Sequence, residues 1–219
     1  MRIGILSDIH EAVELLEVAI ERLNREAVDR FLVLGDVFET GPRIDETVDL
    51  LKSIGAVGVY GNHDYGLSID PSAYVLDRFS TETLAFMRSL RSRMELGGCL
   101  FAHREPCLDC SILTQIWHVD DEQLPEEAVA RSFAAVPDRV TFIGHFHTWR
   151  AHTRQGRLAW NGSKPLSLPD EAPALIVVAA ICDGHSAILD TEDRLLTPID
   201  LYQDQLRPEH RPIPRLLHE

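Results

Sequence analysis

Arg2-Ile3-Gly4-Ile5-Leu6-Ser7-Asp8-Ile9-His10 runs from an apolar segment directly into two residues of metal-ligating type, and this unit recurs along the chain. Residues 3–6 have the length and composition of a buried strand. Residues 12–23 carry Leu15, Leu16, Ala19, Ile20 and Leu23 at helical spacing with acids on the opposite face. Residues 31–34 and 56–60 repeat the strand pattern, separated by a helix over 45–54. Strand, loop, helix, strand predicts parallel pairing, with the polar loops at the carboxyl ends of the strands, where open α/β sheets place their sites.

Five segments end predicted strands with metal-ligand residues: Ser7-Asp8-Ile9-His10, Gly35-Asp36, Gly61-Asn62-His63-Asp64, Ala102-His103 and Gly144-His145-Phe146-His147. Asp8 and His10, like His145 and His147, stand two apart, so a locally extended backbone would turn both members of each pair to one side. Imidazole with carboxylate and amide oxygen suits borderline divalent metals, and the lack of Cys in these segments argues against a structural zinc of the sulfur type. Seven candidate ligands exceed one tetrahedral ion but suffice for two ions sharing a carboxylate. Such paired ions lie about 3.5–4 Å apart and clamp the attacking and leaving oxygens of an in-line displacement.

In type and order these segments resemble the calcineurin-like metallophosphoesterase superfamily, whose pattern is DxH, GD, GNH with a following acid, a His, and GHxH. The resemblance covers roughly residues 2–163, and the chain looks most like the compact bacterial and archaeal phosphodiesterase branch. It implies a four-layer α/β/β/α sandwich of two mixed sheets. It also implies that Asp8, His10, Asp36 and His147 hold one divalent ion and that Asn62, His103 and His145 complete a second site. Asp36 would bridge, a hydroxide between the ions would attack phosphorus, and the ions would be manganese, iron, zinc or nickel. His63 directly follows a ligand and is the candidate general acid, with Asp64 orienting its ring. The substrate class implied is a small or nucleotide-like phosphate diester.

Departures from related families narrow this reading. Phosphoprotein phosphatases carry an Arg before the GNH segment, where this chain has Tyr60, so their planar phosphate fork is lost. Arg104 follows His103 where the family has Gly; it is either a new phosphate contact or an exposed Arg paired with Glu105 or Asp109. Lys164, after Asn161-Gly162-Ser163, is a second candidate contact. The alternatives to a phosphodiesterase are a phosphomonoesterase or protein phosphatase, and a scaffold without turnover, as in a retromer subunit of similar fold. Loss of ligands or of the GNH His would favour the scaffold, and neither loss occurs.

Composition is ordinary for a globular protein, with 45% apolar and 26% charged residues in 219. The net charge of -14 argues against general nucleic-acid binding, which needs Lys and Arg to neutralise phosphates. Cys99, Cys107, Cys110 and Cys182 do not form a disulfide framework, and no membrane segment or leader opens the sequence, so a cytoplasmic protein is expected. Nothing in the sequence excludes a homo-oligomer. Residues 1–203 read as one domain and 204–219 as an irregular tail. Residues 65–80 read as loop with a little local structure, and 81–91 as a helix capped by Ser80 or Thr81. A hairpin is expected around Gly97-Gly98, a helix over 126–135 and a strand over 140–143. Two more hairpins are expected, 149–153 with 157–160 and 174–181 with 186–190, then a strand over 195–199. Residues 105–125 carry no readable pattern. His118, His152, His185, His210 and His218 read as surface or hydrogen-bonded core histidines.

Overall fold

The computed structural model describes residues 1–117, 124–169 and 172–205. His118, His210, His218 and the expected tail beyond 205 lie outside the described residues. Strands β1 (Arg2–Leu6), β2 (Arg30–Leu34) and β3 (Val57–Val59) alternate with helices α1 (Val13–Arg25) and α2 (Ile44–Ser53). Helices α3 (Tyr65–Ser68), α4 (Ala73–Arg78) and α5 (Thr81–Ser89) lead into the hairpin of β4 (Arg93–Leu96) and β5 (Cys99–Ala102). Helices α6 (Leu113–Ile116) and α7 (Glu126–Ala135) precede β6 (Val140–Ile143), β7 (Arg150–Thr153), β8 (Gly156–Arg157) and β9 (Leu166–Ser167). Strands β10 (Ala174–Val177), β11 (His185–Asp190) and β12 (Leu195–Asp200) are followed by α8 (Leu201–Gln205). Ser80 caps α5, its Oγ accepting from the Thr83 amide at 3.1 Å.

Two six-stranded sheets result, in the orders β3-β2-β1-β11-β12-β9 and β4-β5-β6-β10-β7-β8. Both are mixed: β1, β2 and β3 run parallel, as do β5, β6 and β10, while β11 and β7 pair antiparallel to their neighbours. Ile3, Ile5, Leu32 and Leu34 of the first sheet meet Phe101, Phe142 and Ile176 of the second in one buried cluster. On the outer face of the first sheet Leu16, Ala19 and Leu23 of α1 and Val48 and Leu51 of α2 pack with Leu6 and Val33. Ala128 and Val129 of α7 cover Ile143, Leu175 and Val177 of the second. The fold is therefore helix, sheet, sheet, helix. Each fully buried Leu, Ile or Phe contributes roughly 1.5–3 kcal/mol to holding these layers together.

One expected hairpin does not form. β10 belongs to the second sheet and β11 to the first, so the segment between them crosses from sheet to sheet rather than turning back. Both edges of β10 are already hydrogen-bonded, to β6 and β7, which leaves β11 no partner there. The crossing chain is tied to both sides, with the Val178 amide donating to the Ile143 carbonyl and the Ile181 and Cys182 amides to the carbonyls of Ser7 and Asp8. The two-residue β9 shows no sequence pattern because it is a short edge partner of β12. Among the described residues no helix is long and apolar enough to cross a membrane.

Candidate metal centre

The carboxyl ends of β1, β2, β3, β5 and β6 converge, bringing all seven candidate ligands around one cleft or into the wall behind it. The local backbone that achieves this is not extended. Asp8, His10, Asp36, His145 and His147 have φ of 49°, 46°, 52°, 68° and 50°, the left-handed region that non-glycine residues rarely adopt. Such conformations typically cost about 1–3 kcal/mol each and cluster at functional sites. The pairing of Asp8 with His10 and of His145 with His147 thus arises from left-handed turns, not from strand alternation. Hydrogen bonds hold the turns: the amides of Asp8, His10 and Glu11 donate to the carbonyls of Gly35, Asp36 and Val37. The glycines of the motifs make room. A Cβ on Gly61 would overlap Asp36 Oδ1, and one on Gly144 would overlap Ser7 Oγ beside the Asp8 carboxylate.

Asp36 is central. Its Oδ2 lies 3.3 Å from His103 Nε2 and 3.7 Å from His10 Nε2, while Oδ1 accepts from the His63 amide at 2.9 Å. Asn62 Oδ1 stands 3.0 Å from both His103 Nε2 and His145 Nδ1. Asp8 accepts from Ser7 Oγ and from the His145 amide, and its Oδ1 lies 3.5 Å from His147 Nε2. Asp36 belongs to two groups of donor atoms, with His10 and His63 on one side and with His103 and His145 on the other; within each, all atoms lie inside 4.8 Å.

The far side of three imidazoles explains which nitrogen faces inward. Nδ1 of His10 meets Glu39 Oε2 at 2.7 Å, Nδ1 of His103 the Leu34 carbonyl at 2.8 Å, and Nδ1 of His147 Asp183 Oδ2 at 3.0 Å. Carboxylate and carbonyl oxygens only accept, so a neutral ring carries its proton on Nδ1 and turns the Nε2 lone pair toward Asp36 or Asp8. Lone pairs facing carboxylate oxygens at 3.3–3.7 Å repel unless positive charge lies between them. Outer hydrogen bonds of this kind are the usual support of metal-bound histidines. The residues therefore fit divalent ions.

The proton affinities express the same demand. Burial opposes ionisation of Asp36, yet His103, with His10 and His63, holds its carboxyl below the usual range. Burial likewise opposes charge on His103, but Asp36 and Asp8 raise it to about 9. A hydrogen bond to Asp8, helped by Cys182, lifts His147 to about 11. His145 moves the other way, to about 2, through burial and the nearby charges of His103 and Arg104.

Three expectations are corrected. Asp64 does not orient the His63 ring: its Oδ1 accepts from the amides of Val37 and Phe38 and its Oδ2 from Gly61, so it ties two ligand loops together. The carboxylate beside His63 is Glu39, with Oε2 3.4 Å from Nδ1. Arg104 is neither exposed nor in the cleft; it is buried, its Nε paired with Glu105 at 2.9 Å and its Nη1 donating to the Ile116 carbonyl at 3.0 Å. Lys164 is exposed and outside the cleft lining, its carbonyl accepting from Trp160 Nε1. Sequence reading missed Glu39, Asp183 and Glu11. Glu11 accepts from the amides of Glu39, Gly41 and Arg43 and so fixes the loop bearing Glu39. The only signal for Glu39 is an acid three residues after Asp36, and Asp183-Gly184 reads as a turn.

A family model of the calcineurin-like phosphoesterase superfamily domain matches residues 1–184. The chain belongs to that superfamily. This calcineurin-like phosphoesterase is accordingly a metal-dependent phosphoester hydrolase. It is 32% identical over 178 residues to the uncharacterized protein MJ0912 of Methanocaldococcus jannaschii, covering 74% of this chain and 69% of that one. Its fold matches a metallophosphoesterase from Sphaerobacter thermophilus with a TM-score of 0.71 and 22% identity, over 96% of each chain. It also matches an archaeal phosphodiesterase with a TM-score of 0.52 and 17% identity, over 91% of this chain and 99% of the other. At these identities the two structures establish the fold.

Proposed function

We propose that this phosphoesterase is a dinuclear-metal phosphodiesterase acting on small or nucleotide-like esters, and that residues 1–203 form its single catalytic unit. The observation that carries the reading is the position of Asp36, whose one oxygen is shared by the Nε2 atoms of His10 and His103. Asp8, His10, Asp36 and His147 would hold one ion and Asp36, Asn62, His103 and His145 the other. Two divalent ions bound there would supply a hydroxide nucleophile at neutral pH and neutralise phosphoryl charge. The mixed nitrogen and oxygen donors suit manganese, iron, zinc or nickel.

The chain's own residues supply the rest. His63 reaches the cleft beside Asp36 and hands a proton to the departing oxygen; Glu39 at its Nδ1 keeps the ring turned for that transfer. The cleft, about 430 Å³, is lined among the described residues by His10, Asp36, Glu39, Asn62, His63, His145, His147, Cys182 and Asp183, with no Arg or Lys. Tyr60, where related phosphatases have their Arg, is buried with its hydroxyl on the Cys110 carbonyl. A site without a guanidinium fork favours the single negative charge of a diester over the dianion of a monoester.

Metal-stripped protein reloaded with manganese, iron, zinc or nickel should hydrolyse bis(p-nitrophenyl) phosphate with a higher kcat/KM than p-nitrophenyl phosphate. Preference for the monoester, or turnover indifferent to metal, overturns the reading. Elemental analysis should also find less metal in Asp36→Asn than in wild type.

A further inference from the structure

We propose that Trp117 determines specificity in this site by stacking a nucleobase on the leaving side of the ester. The inference rests on the phosphodiesterase reading above and names its substrate class. Trp117 is 44% exposed, whereas the other two tryptophans, Trp149 and Trp160, are buried. Its indole lies 5.1 Å from the His63 imidazole, ring centre to ring centre, at 42°. His63 in turn binds Asp36 Oδ1 through its amide. Asp36, His63 and Trp117 are therefore successive neighbours, with His63 lining the cleft and the indole beside it. The group that takes a proton from His63 departs next to the open surface of Trp117.

The segment bearing this indole is anchored rather than draped. Arg104 Nη1 donates to the Ile116 carbonyl, Tyr60 and Tyr65 hydroxyls donate to the carbonyls of Cys110 and Ser111, and the Asp109 amide donates to Gln115 Oε1. Ile116 is fully buried, so α6 is pinned on one side while the ring of the next residue stands against the His63 imidazole. The buried Arg104, unavailable as a phosphate fork, thus acts on the site by holding the carbonyl adjacent to Trp117. An aromatic ring held in place beside a phosphoryl site is the arrangement that stacks bases without reading their edges.

The test uses metal-loaded full-length protein and two probes that share a phosphate, AMP and ribose 5-phosphate, as inhibitors of bis(p-nitrophenyl) phosphate hydrolysis. Wild type should bind AMP more tightly by about tenfold, equivalent to about 1.4 kcal/mol. Trp117→Ala should bring the two inhibition constants together, Trp117→Phe should keep most of the preference, and AMP should quench indole fluorescence in wild type more than ribose 5-phosphate does. Equal inhibition of wild type by both probes overturns the proposal, as does a preference that survives Trp117→Ala. If Trp117→Ala weakens both probes equally, the indole only positions His63 and the proposal also fails. Absence of metal-dependent hydrolysis would sink the phosphodiesterase reading instead, while the difference in fluorescence quenching would still judge Trp117.

Discussion

Glu39→Gln isolates the outer carboxylate that the sequence did not reveal. Its Oε2 lies 2.7 Å from His10 Nδ1, a charge-assisted contact that Gln replaces by a neutral one of similar shape. Hydrogen bonds to charged groups are worth roughly 1.5–3 kcal/mol and neutral ones roughly 0.5–1.5 kcal/mol, so loss of the charge removes about 1–1.5 kcal/mol. The Glu39 side chain is 45% exposed, and solvent screening takes the lower end of that range. Metal affinity should therefore fall about fivefold, below the usual roughly 10–100-fold loss for outer partners of metal-bound histidines because this one is solvent-screened. Competition against a chelating dye measures it, with Glu14→Gln as control, since Glu14 is an exposed partner of Arg43. Because Glu39 Oε2 also lies 3.4 Å from His63 Nδ1, turnover of alkyl diesters should drop further at saturating metal. Affinity within twofold of wild type, or an equal loss in Glu14→Gln, would refute the reasoning.

His63→Ala should keep its metal content yet lose roughly 10²–10⁴ in turnover of esters with poor leaving groups, and less with nitrophenyl esters; equal losses on both would remove it as the proton donor. Gly61→Ala forces a methyl group onto Asp36 Oδ1, so elemental analysis should find both ions depleted. His152 is buried, with neither ring nitrogen hydrogen-bonded among the described residues, and its pKa is lowered, chiefly by burial, the Glu126 carboxylate at 3.8 Å opposing the shift. Its neutral form is the one that folds. Stability is thus full above the ordinary histidine value near 6.5 and is lost as pH falls below it toward the lowered folded value. His152→Leu should flatten that acid limb in thermal melts between pH 7 and 5, and parallel wild-type and variant curves would contradict this.

The first sheet was legible because β1, β2 and α1 each bury a face with its own period: Leu16, Ala19 and Leu23 repeat as a helix must, and 31–34 is apolar throughout. The seven candidate ligands stood out because each ends a strand with a residue of metal-binding chemistry. Their left-handed backbone was not legible, since Asp and His tolerate that region more than most residues but rarely adopt it unless surrounding carbonyls impose it, as they do here. Arg104 does pair with Glu105 as one expectation had it, but its burial and the role of Asp64 were misread for one reason. Sequence adjacency to His63 and His103 says nothing about which backbone amides or carbonyls lie opposite, and those partners come from residues 37, 38 and 116. The hairpin expected at Asp183-Gly184 failed because a turn signal does not specify whether the chain returns to the same sheet.

That crossing has a consequence for how the molecule is made. β1 lies between β2 and β11, and its register places Ile3 opposite Leu189, so one edge of β1 waits for a strand synthesised much later. Until β11 emerges, β1 presents open amides and carbonyls along a run of apolar residues, the template on which strands from other chains add. Pairings between such distant segments are also slow to form. The crossing segment binds the Ser7 and Asp8 carbonyls and delivers Asp183 to His147, so sheet closure and completion of the candidate metal site are one late event. A chain cut before β11 would be an aggregation hazard, not a weaker enzyme.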